Sequence, residues 1–143
     1  MLIGEYRNKL DEKNRVALPK KFRAGLGDKV VVARGYEGCL IVVSQKSWKF
    51  LIEETVKGPF TSGVLRDTTR FLLGGAFEVE LDGQGRFVLP KNLLNYAMLH
   101  GEACFVGLGR WVEVWDSAKW DERLKFLYTH GSEIADKLSL LEI

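Results

Sequence analysis

The pentapeptide DEKNR, Asp11 to Arg15, carries side chains that are suited to recognition of DNA. The guanidinium of Arg15 is a planar fork that matches the O6/N7 edge of guanine, and the amide of Asn14 matches the N6/N7 edge of adenine. Lys13 adds a positive charge on a flexible stem, which suits a phosphate or a guanine. Because the segment is rich in turn-forming residues, these side chains are expected to project from the surface. The three residues are therefore a candidate site for contacts with DNA.

A purely structural role is also open for the two ends of this segment. Asp11 can accept hydrogen bonds from amides of the turn and can pair with Arg15, which would fix the loop without any binding partner. An aspartate that faced DNA phosphates would be repelled by them. We therefore interpret Asp11 as a residue that organises the loop, and both a binding and a structural role stay open for Arg15.

A second copy of the pattern, DGQGR, spans Asp82 to Arg86. Gln84 and Gly85 stand where the first copy has lysine and asparagine, so Arg86 is the one basic residue of this copy. The glycines permit either a tight turn or a close approach of the backbone to a phosphate. We predict that the first copy reads bases, that Arg86 makes a supporting contact, and that Asp82 organises its loop.

Positive charge is concentrated around the first copy. The chain has 21 lysines and arginines against 19 aspartates and glutamates, a net charge of +2, so its total charge does not indicate a polyanion partner. Residues 1–23, however, carry seven basic and three acidic side chains, a local balance of +4. Three lysines beyond the motifs, namely Lys20, Lys21 and Lys91, are predicted to support binding.

The sequence offers no basis for catalysis or metal binding. His100 and His130 have no cysteine, histidine or carboxylate neighbours at metal-ligand spacing. Cys39 and Cys104 lie in apolar runs and are expected to be buried thiols. Phosphate-loop and nucleophile motifs are absent from the sequence. We therefore predict no enzymatic activity, no cofactor, no metal and no small-molecule substrate.

The localisation of the protein is predicted from its apolar segments. No apolar stretch approaches the roughly 18 residues that a membrane span requires. The first residues also lack the apolar core of a signal peptide. We therefore expect a cytoplasmic protein without membrane contact.

The two motif copies belong to a longer internal repeat. The segment DEKNRVALPK at residues 11–20 returns as DGQGRFVLPK at residues 82–91, an offset of 71 residues. Two of the three prolines fall at the same position of this repeat. Because turn, strand and proline positions all recur, each half of the chain is expected to form the same unit.

Each unit is predicted to contain a strand, a turn, a short strand, a helical turn, a β-hairpin and an amphipathic helix. Ser44 and Asp116 are placed to cap the amphipathic helices, Ser62 begins a helix that connects the halves, and a last helix is predicted over Glu133 to Leu141. The predicted divisions are a first repeat over residues 1–60, a connecting helix over 61–72, a second repeat over 73–130 and a C-terminal helix over 131–143. Since no low-complexity linker separates the halves, one shared domain is expected.

These repeated residues resemble the MraZ family of bacterial transcriptional regulators, whose members carry two Asp-x-x-x-Arg motifs. Each motif here, at residues 11–15 and 82–86, is followed by a hydrophobic pair and Leu-Pro. The opening MLIG and the stretch RGYEGCL are also similar to that family. The similarity covers nearly the whole chain and thins after about residue 128.

The resemblance implies a β-rich α+β fold, in which a pseudo-symmetric tandem repeat forms an AbrB-like swapped-hairpin β-barrel with flanking helices. Two β-β-α-β units would interlock their strands around one pseudo-two-fold axis. It also implies a nucleoid-associated homo-oligomer, a closed ring, that binds short direct repeats in double-stranded DNA. Such a ring would repress the division and cell-wall operon to which the protein's own gene belongs. The same resemblance favours the binding role of Arg15.

Two further interpretations remain open. The same fold could serve as a protein-interaction or assembly module whose basic region meets an acidic partner. Residues 112–143 hold four basic and seven acidic side chains, a balance of −3. They form either a solvated helix face or a surface that meets the basic end of a neighbouring subunit.

Overall fold

The apolar runs of the first half form the strands of a hairpin because β-branched residues dominate KVVVAR and LIVVS. The computed structural model describes residues 1–141, which contain eight strands and five helices. The first half contains β1 (Leu2–Lys9), β2 (Arg15–Ala17), α1 (Lys20–Leu26), β3 (Lys29–Arg34), β4 (Leu40–Ser44) and α2 (Gln45–Thr55). After α3 (Gly63–Gly74), the second half contains β5 (Phe77–Glu80), β6 (Arg86–Val88), α4 (Lys91–Ala97), β7 (Glu102–Gly109), β8 (Trp111–Asp116) and α5 (Ser117–Leu138).

Six strands form one antiparallel sheet in the order β1-β7-β8-β4-β3-β5, while β2 and β6 pair as a separate two-stranded ribbon. The first strand of each half pairs with the hairpin of the other half. β1 lies beside β7, and β5 lies beside β3. Because each half completes the sheet of the other, the two halves share one core.

The strand registers place a pseudo-two-fold axis through the ribbon. Arg15 lies opposite Val88 and Ala17 lies opposite Arg86, so the 71-residue offset that relates the motifs maps this pairing onto itself. Val16 and Phe87 face each other at the centre. The repeat found in the sequence is therefore also a repeat in space.

The sheet separates two layers of packing. The ribbon, α1 and α4 cover one face, where residues such as Val16, Phe22, Phe87 and Leu93 join the largest buried cluster. The other face is covered by α2, which packs on Ala33, Ile41 and Val43 through its apolar side, and by α5. The polar motif loops consequently lie on the opposite side of the sheet from α2 and α5.

The strand-rich α+β fold is confirmed, but the predicted closed barrel is wrong. Within residues 1–141, β1 and β5 are the two edges of the sheet and do not pair with each other. β2 and β6 are only three residues long and hydrogen-bond to one another. Because they form their own ribbon, neither of them bridges β1 and β5 to close the sheet.

Predicted residues cap the N-termini of α2 and α3. The side chains of Ser44 and Ser62 accept hydrogen bonds from the amides of Ser47 and Leu65 at 3.1 and 3.2 Å. α3 forms the connecting helix.

The two helices predicted for the last part of the chain are one continuous helix, α5, which begins after Asp116. The segment contains no proline, and its single interior glycine costs only about 1 kcal/mol of helix stability. Residues 142–143, which the predicted C-terminal helix included, lie outside the described range. Within that range no helix is both long and apolar enough to cross a membrane.

Candidate nucleic-acid interface

The first motif loop is held in shape by its own aspartate. Oδ1 of Asp11 accepts hydrogen bonds from the backbone N–H groups of Lys13 and Arg15, both at 2.9 Å. Its Oδ2 accepts a hydrogen bond from Nε of Arg15 at 2.7 Å. Asn14 completes the turn with a φ of 60°, a left-handed conformation that asparagine tolerates well. We call this set of three hydrogen bonds the aspartate latch.

The second motif loop has the same latch. Oδ1 of Asp82 accepts hydrogen bonds from the backbone N–H groups of Gln84 and Arg86 at 2.9 and 2.8 Å, and Oδ2 accepts one from Nε of Arg86 at 2.9 Å. Gly85 has a φ of 74°, matching the left-handed residue of the first loop. The latch therefore forms although the three residues between aspartate and arginine differ completely.

The latch keeps both aspartates negatively charged. Hydrogen bonds from the backbone amides, that of Arg15 above all, lower the pKa of Asp11 below its ordinary value of 3.8. The backbone amide of Arg86 has the same effect on the pKa of Asp82. Each carboxylate faces its own loop, where it neutralises one guanidinium and satisfies turn amides.

The latch occupies only one nitrogen of each arginine. Among the described residues, Nη1 and Nη2 of Arg15 and Arg86 have no hydrogen-bond partner, and these side chains are 37 and 38% exposed. Each guanidinium thus retains its two terminal nitrogens for an external acceptor. Because Nε is already bonded, less side-chain entropy is lost when such an acceptor binds.

The ribbon places both arginines on one surface. Val16 and Phe87 point into the core, so Arg15, Arg86 and their cross-strand partners lie on the outer face. Arg15 and Arg86 are diagonal neighbours of this antiparallel pair, and residues in that relation are roughly 7–8 Å apart. We call this surface the outer face of the ribbon.

The ends of the ribbon combine loops and helices from different halves. The amide of Leu89 donates a hydrogen bond to the carbonyl of Asn14 at 3.0 Å, which brings the start of α4 beside the first loop. The amide of Leu18 donates to the carbonyl of Gly85 at 2.8 Å, which brings the start of α1 beside the second loop. We call these the first end and the second end.

This arrangement redistributes the predicted basic residues. Lys91, the first residue of α4, belongs to the first end together with Lys13. Lys20 and Lys21, the first residues of α1, belong to the second end together with Arg86. All four lysines are exposed. The basic run that follows the first motif in the sequence therefore lies beside the second motif in space.

Two arginines that sequence reasoning did not assign to the site also lie at the second end. Arg7 of β1 and Arg23 of α1 line a cavity of about 410 Å³ together with Lys20 and Lys21. Arg23 is three residues after Lys20, a helical spacing that puts both on one side of α1 and could have identified it. The position of Arg7 depends on how β1 packs beside β2, which the sequence pattern does not show.

Other reactive residue types are not gathered into a site. Among residues 1–141, no group of three or more histidine, cysteine, aspartate and glutamate side chains is placed to hold a metal. Cys39 and Cys104 are buried. Burial raises the pKa of the Cys104 thiol to about 11 and raises that of Cys39 as well, so both are protonated at neutral pH.

Comparison with known proteins identifies the family. The family model described as "MraZ protein, putative antitoxin-like" matches the chain twice, over residues 1–71 and 72–136. Relatives named "Transcriptional regulator MraZ" include those of Natranaerobius thermophilus (41% identical over 138 residues, 96% of each chain) and Acetivibrio thermocellus (39% over 143 residues, 100% of each chain). A third, from Clostridium acetobutylicum, is 42% identical over 147 residues and covers 100% of each chain. Because the family model matches both repeats and the relatives are 39–42% identical over at least 96% of each chain, the chain belongs to the MraZ family.

Proposed function

We propose that this protein is a transcriptional regulator that binds double-stranded DNA through the outer face of the β2–β6 ribbon and its two loops. The observation that carries the proposal is the pair of latched arginines, Arg15 and Arg86, on one exposed surface. The names of the relatives, all transcriptional regulators, support the same function.

The shape of this surface suits the major groove. B-DNA admits a two-stranded β-ribbon there, and a bidentate arginine–guanine pair provides about 1–3 kcal/mol of discrimination against other bases. Arg15 reads a base in this proposal, with Lys13 and Asn14 beside it, and Arg86 makes the supporting contact. Asp11 and Asp82 organise the loops, since their oxygens accept hydrogen bonds from loop amides and from the motif arginines.

The lysines at both ends supply attraction that does not depend on sequence. Lys20, Lys21 and Lys91 contact DNA phosphates in this proposal, and each neutralised phosphate increases the salt dependence of binding by a slope of about 0.9. A single chain neutralises few phosphates. Strong binding at physiological salt therefore requires several copies acting together.

Assembly is the second part of the proposal. We infer an AbrB-like swapped-hairpin arrangement, supported by the exchange of β1 and β5 between the halves, and a closed homo-oligomeric ring. Joining identical binding surfaces raises overall affinity by roughly 10²–10⁴ without new contacts. Such a ring would bind short direct repeats upstream of its own division and cell-wall operon and repress it in the nucleoid. Repeats about 34–36 Å apart would present the same face of the duplex to successive copies.

The experiment compares binding to two DNA duplexes at two salt concentrations. One duplex, the upstream duplex, has the sequence that precedes the protein's own operon, and the other has a scrambled sequence. Fluorescence anisotropy of the wild-type protein should show preference for the upstream duplex and weaker binding at the higher salt. Arg15→Ala should lose about tenfold or more of that preference, since one base contact disappears per chain.

Arg110→Ala provides the matched control, because Arg110 is exposed at the turn between β7 and β8 and lies against the ring of Phe50, 4.9 Å from its centroid. Its preference should equal that of the wild type. An unchanged preference in Arg15→Ala would overturn the base-reading role. Equal binding to both duplexes by the wild type would instead favour the protein-interaction module.

A further inference from the structure

The cavity between β1, β2 and α1 has the composition of an anion site. It has a volume of about 410 Å³ and is lined by Arg7, Lys20, Lys21 and Arg23, together with Ala17 of β2. Four basic side chains from two separate elements meet in a space of this size. Basic residues close together repel one another unless counter-charges are present, so the acids nearby decide what the cavity can bind.

Two carboxylates approach only one of the four basic groups. Nη2 of Arg7 donates to Oδ1 of Asp121 at 2.7 Å, and its Nη1 lies 3.9 Å from a carboxylate oxygen of Glu102. Among the described residues, the side chains of Lys20 and Lys21 have no acidic partner. The cavity therefore keeps an excess of positive charge.

Arg23 is fixed in a position that leaves its terminal nitrogens available. Its Nε donates to the carbonyl of Leu18 at 2.9 Å, and its guanidinium lies against Gly85 of the second loop. Neither Nη1 nor Nη2 has a partner within residues 1–141. An arginine that is held through Nε and half-buried is pre-organised to accept an anion, as the motif arginines are.

The internal repeat shows that the fold does not require these charges. The 71-residue offset places Glu78 at the position of Arg7, Asn92 at that of Lys21, and Leu94 at that of Arg23. Lys20 alone keeps a basic counterpart, Lys91. The same strand–ribbon–helix scaffold therefore forms in the second half with three of the four charges removed.

We propose that the cavity lined by Arg7, Lys20, Lys21 and Arg23 binds a phosphate group. The neighbouring Arg86 lies opposite Ala17 of the same cavity wall, so a phosphate bound here would lie beside a motif arginine. Two sources share this chemistry: a backbone phosphodiester of DNA, and a free phosphate-containing anion that would compete with DNA. The first source rests on the proposed DNA-binding function, and the second does not.

The first test uses pyrophosphate and needs no DNA. Isothermal titration of the full-length protein with pyrophosphate should show binding, because a polyanion is matched to the excess charge. Lys20→Gln/Lys21→Gln should weaken it at least tenfold; both side chains are exposed and make no structural hydrogen bond among the described residues. Lys91→Gln, at the corresponding position of the other half, should bind as the wild type does.

The second test distinguishes the sources. If the phosphate belongs to DNA, Lys20→Gln/Lys21→Gln should lower the salt slope for the scrambled duplex by about 0.9 per lost contact and should leave base preference unchanged. If the anion is free, pyrophosphate should bind and displace DNA while the variant keeps the wild-type slope. Arg23→Leu/Lys21→Asn, which copies the side chains of the second half, should behave as the lysine pair does.

An unchanged pyrophosphate affinity together with an unchanged salt slope would overturn the phosphate site. That result would also remove the phosphate contacts proposed for Lys20 and Lys21, but it would leave the base-reading role of Arg15 intact, provided that the wild type still prefers the upstream duplex. Loss of that preference with retained pyrophosphate binding would overturn the proposed function and leave the phosphate site standing. The two inferences can therefore fail separately.

Discussion

The first end of the ribbon presents Lys13 and Asn14 in its loop, whereas the second end presents Gln84 and Gly85. Both loops have the same left-handed fourth residue and the same three hydrogen bonds to an aspartate. The helices beside the loops differ in charge, because α1, with three basic residues, lies beside the second loop, whereas α4, with one, lies beside the first. The shape of the loop thus depends on the aspartate and the arginine. The residues between them can differ without changing that shape, so the two loops can contact different groups.

The largest effect is expected when the first loop is given the residues of the second. Lys13→Gln/Asn14→Gly should reduce preference for the upstream duplex by about tenfold or more, because it removes one charge and one base-reading amide from each chain. Thermal stability should stay at the wild-type value, since the second loop shows that glutamine and glycine fit this backbone. Anisotropy and a melting curve measure the two quantities.

The reverse change serves as its control. Gln84→Lys adds charge at the second end and should strengthen binding to both duplexes alike. If Lys13→Gln/Asn14→Gly retained full preference, the bases would be read by the arginines alone, and the difference between the loops would carry no specificity.

A smaller effect, on stability, is expected at the left-handed position. Gly85→Ala should destabilise the fold by about 1–3 kcal/mol, because alanine is strained at a φ of 74° and its Cβ would overlap the guanidinium of Arg23. Asn14→Gly should change stability by less than about 0.5 kcal/mol. Urea unfolding of both variants measures this, and equal stability losses would contradict the close packing at the second end.

The smallest effect is expected from removing one latch charge. Because the folded-state pKa of Asp11 and of Asp82 lies below the ordinary 3.8, each carboxylate stabilises the fold above that value and loses the contribution as pH falls through the folded pKa. Asp11→Asn and Asp82→Asn should therefore lower the urea midpoint at neutral pH, and the difference from the wild type should shrink as pH falls through the folded-state pKa and the carboxyl becomes protonated. Equal losses at the two ends are expected, and a loss at only one would show that the latches differ in strength.

Local patterns in the sequence predict the helices and strands but not which strands pair with each other. The capping serines, the short strand before each Leu-Pro and the two motif turns could be predicted because neighbouring residues determine them. The pairing of β1 with β7 joins residues about a hundred positions apart and leaves no local pattern. The open sheet therefore has no signal in the sequence, and the barrel implied by the family resemblance is wrong. The apolar spacing predicts two helices in the last part of the chain, whereas α5 is continuous, since its single interior glycine costs only about 1 kcal/mol of helix stability.

The same distinction between local patterns and long-range contacts applies to the residues of the candidate site. Lys13, Asn14 and Arg15 were found because they are adjacent in sequence. Lys20 and Lys21 follow the first motif in the sequence, which predicts a position beside it, whereas the hydrogen bond between Leu18 and Gly85 places them beside the second motif. The sequence gives side-chain chemistry directly, whereas the grouping of those side chains depends on long-range contacts.

The pseudo-two-fold axis through Val16 and Phe87 has a consequence for orientation on DNA. A dimer of two identical half-length chains would carry two identical ends and would bind a site equally well after rotation by half a turn. Here one covalent chain supplies both halves, so their side chains can differ while the backbone symmetry remains. The two ends of the surface therefore differ, and in the proposed complex with DNA one orientation along the duplex would be favoured over the other.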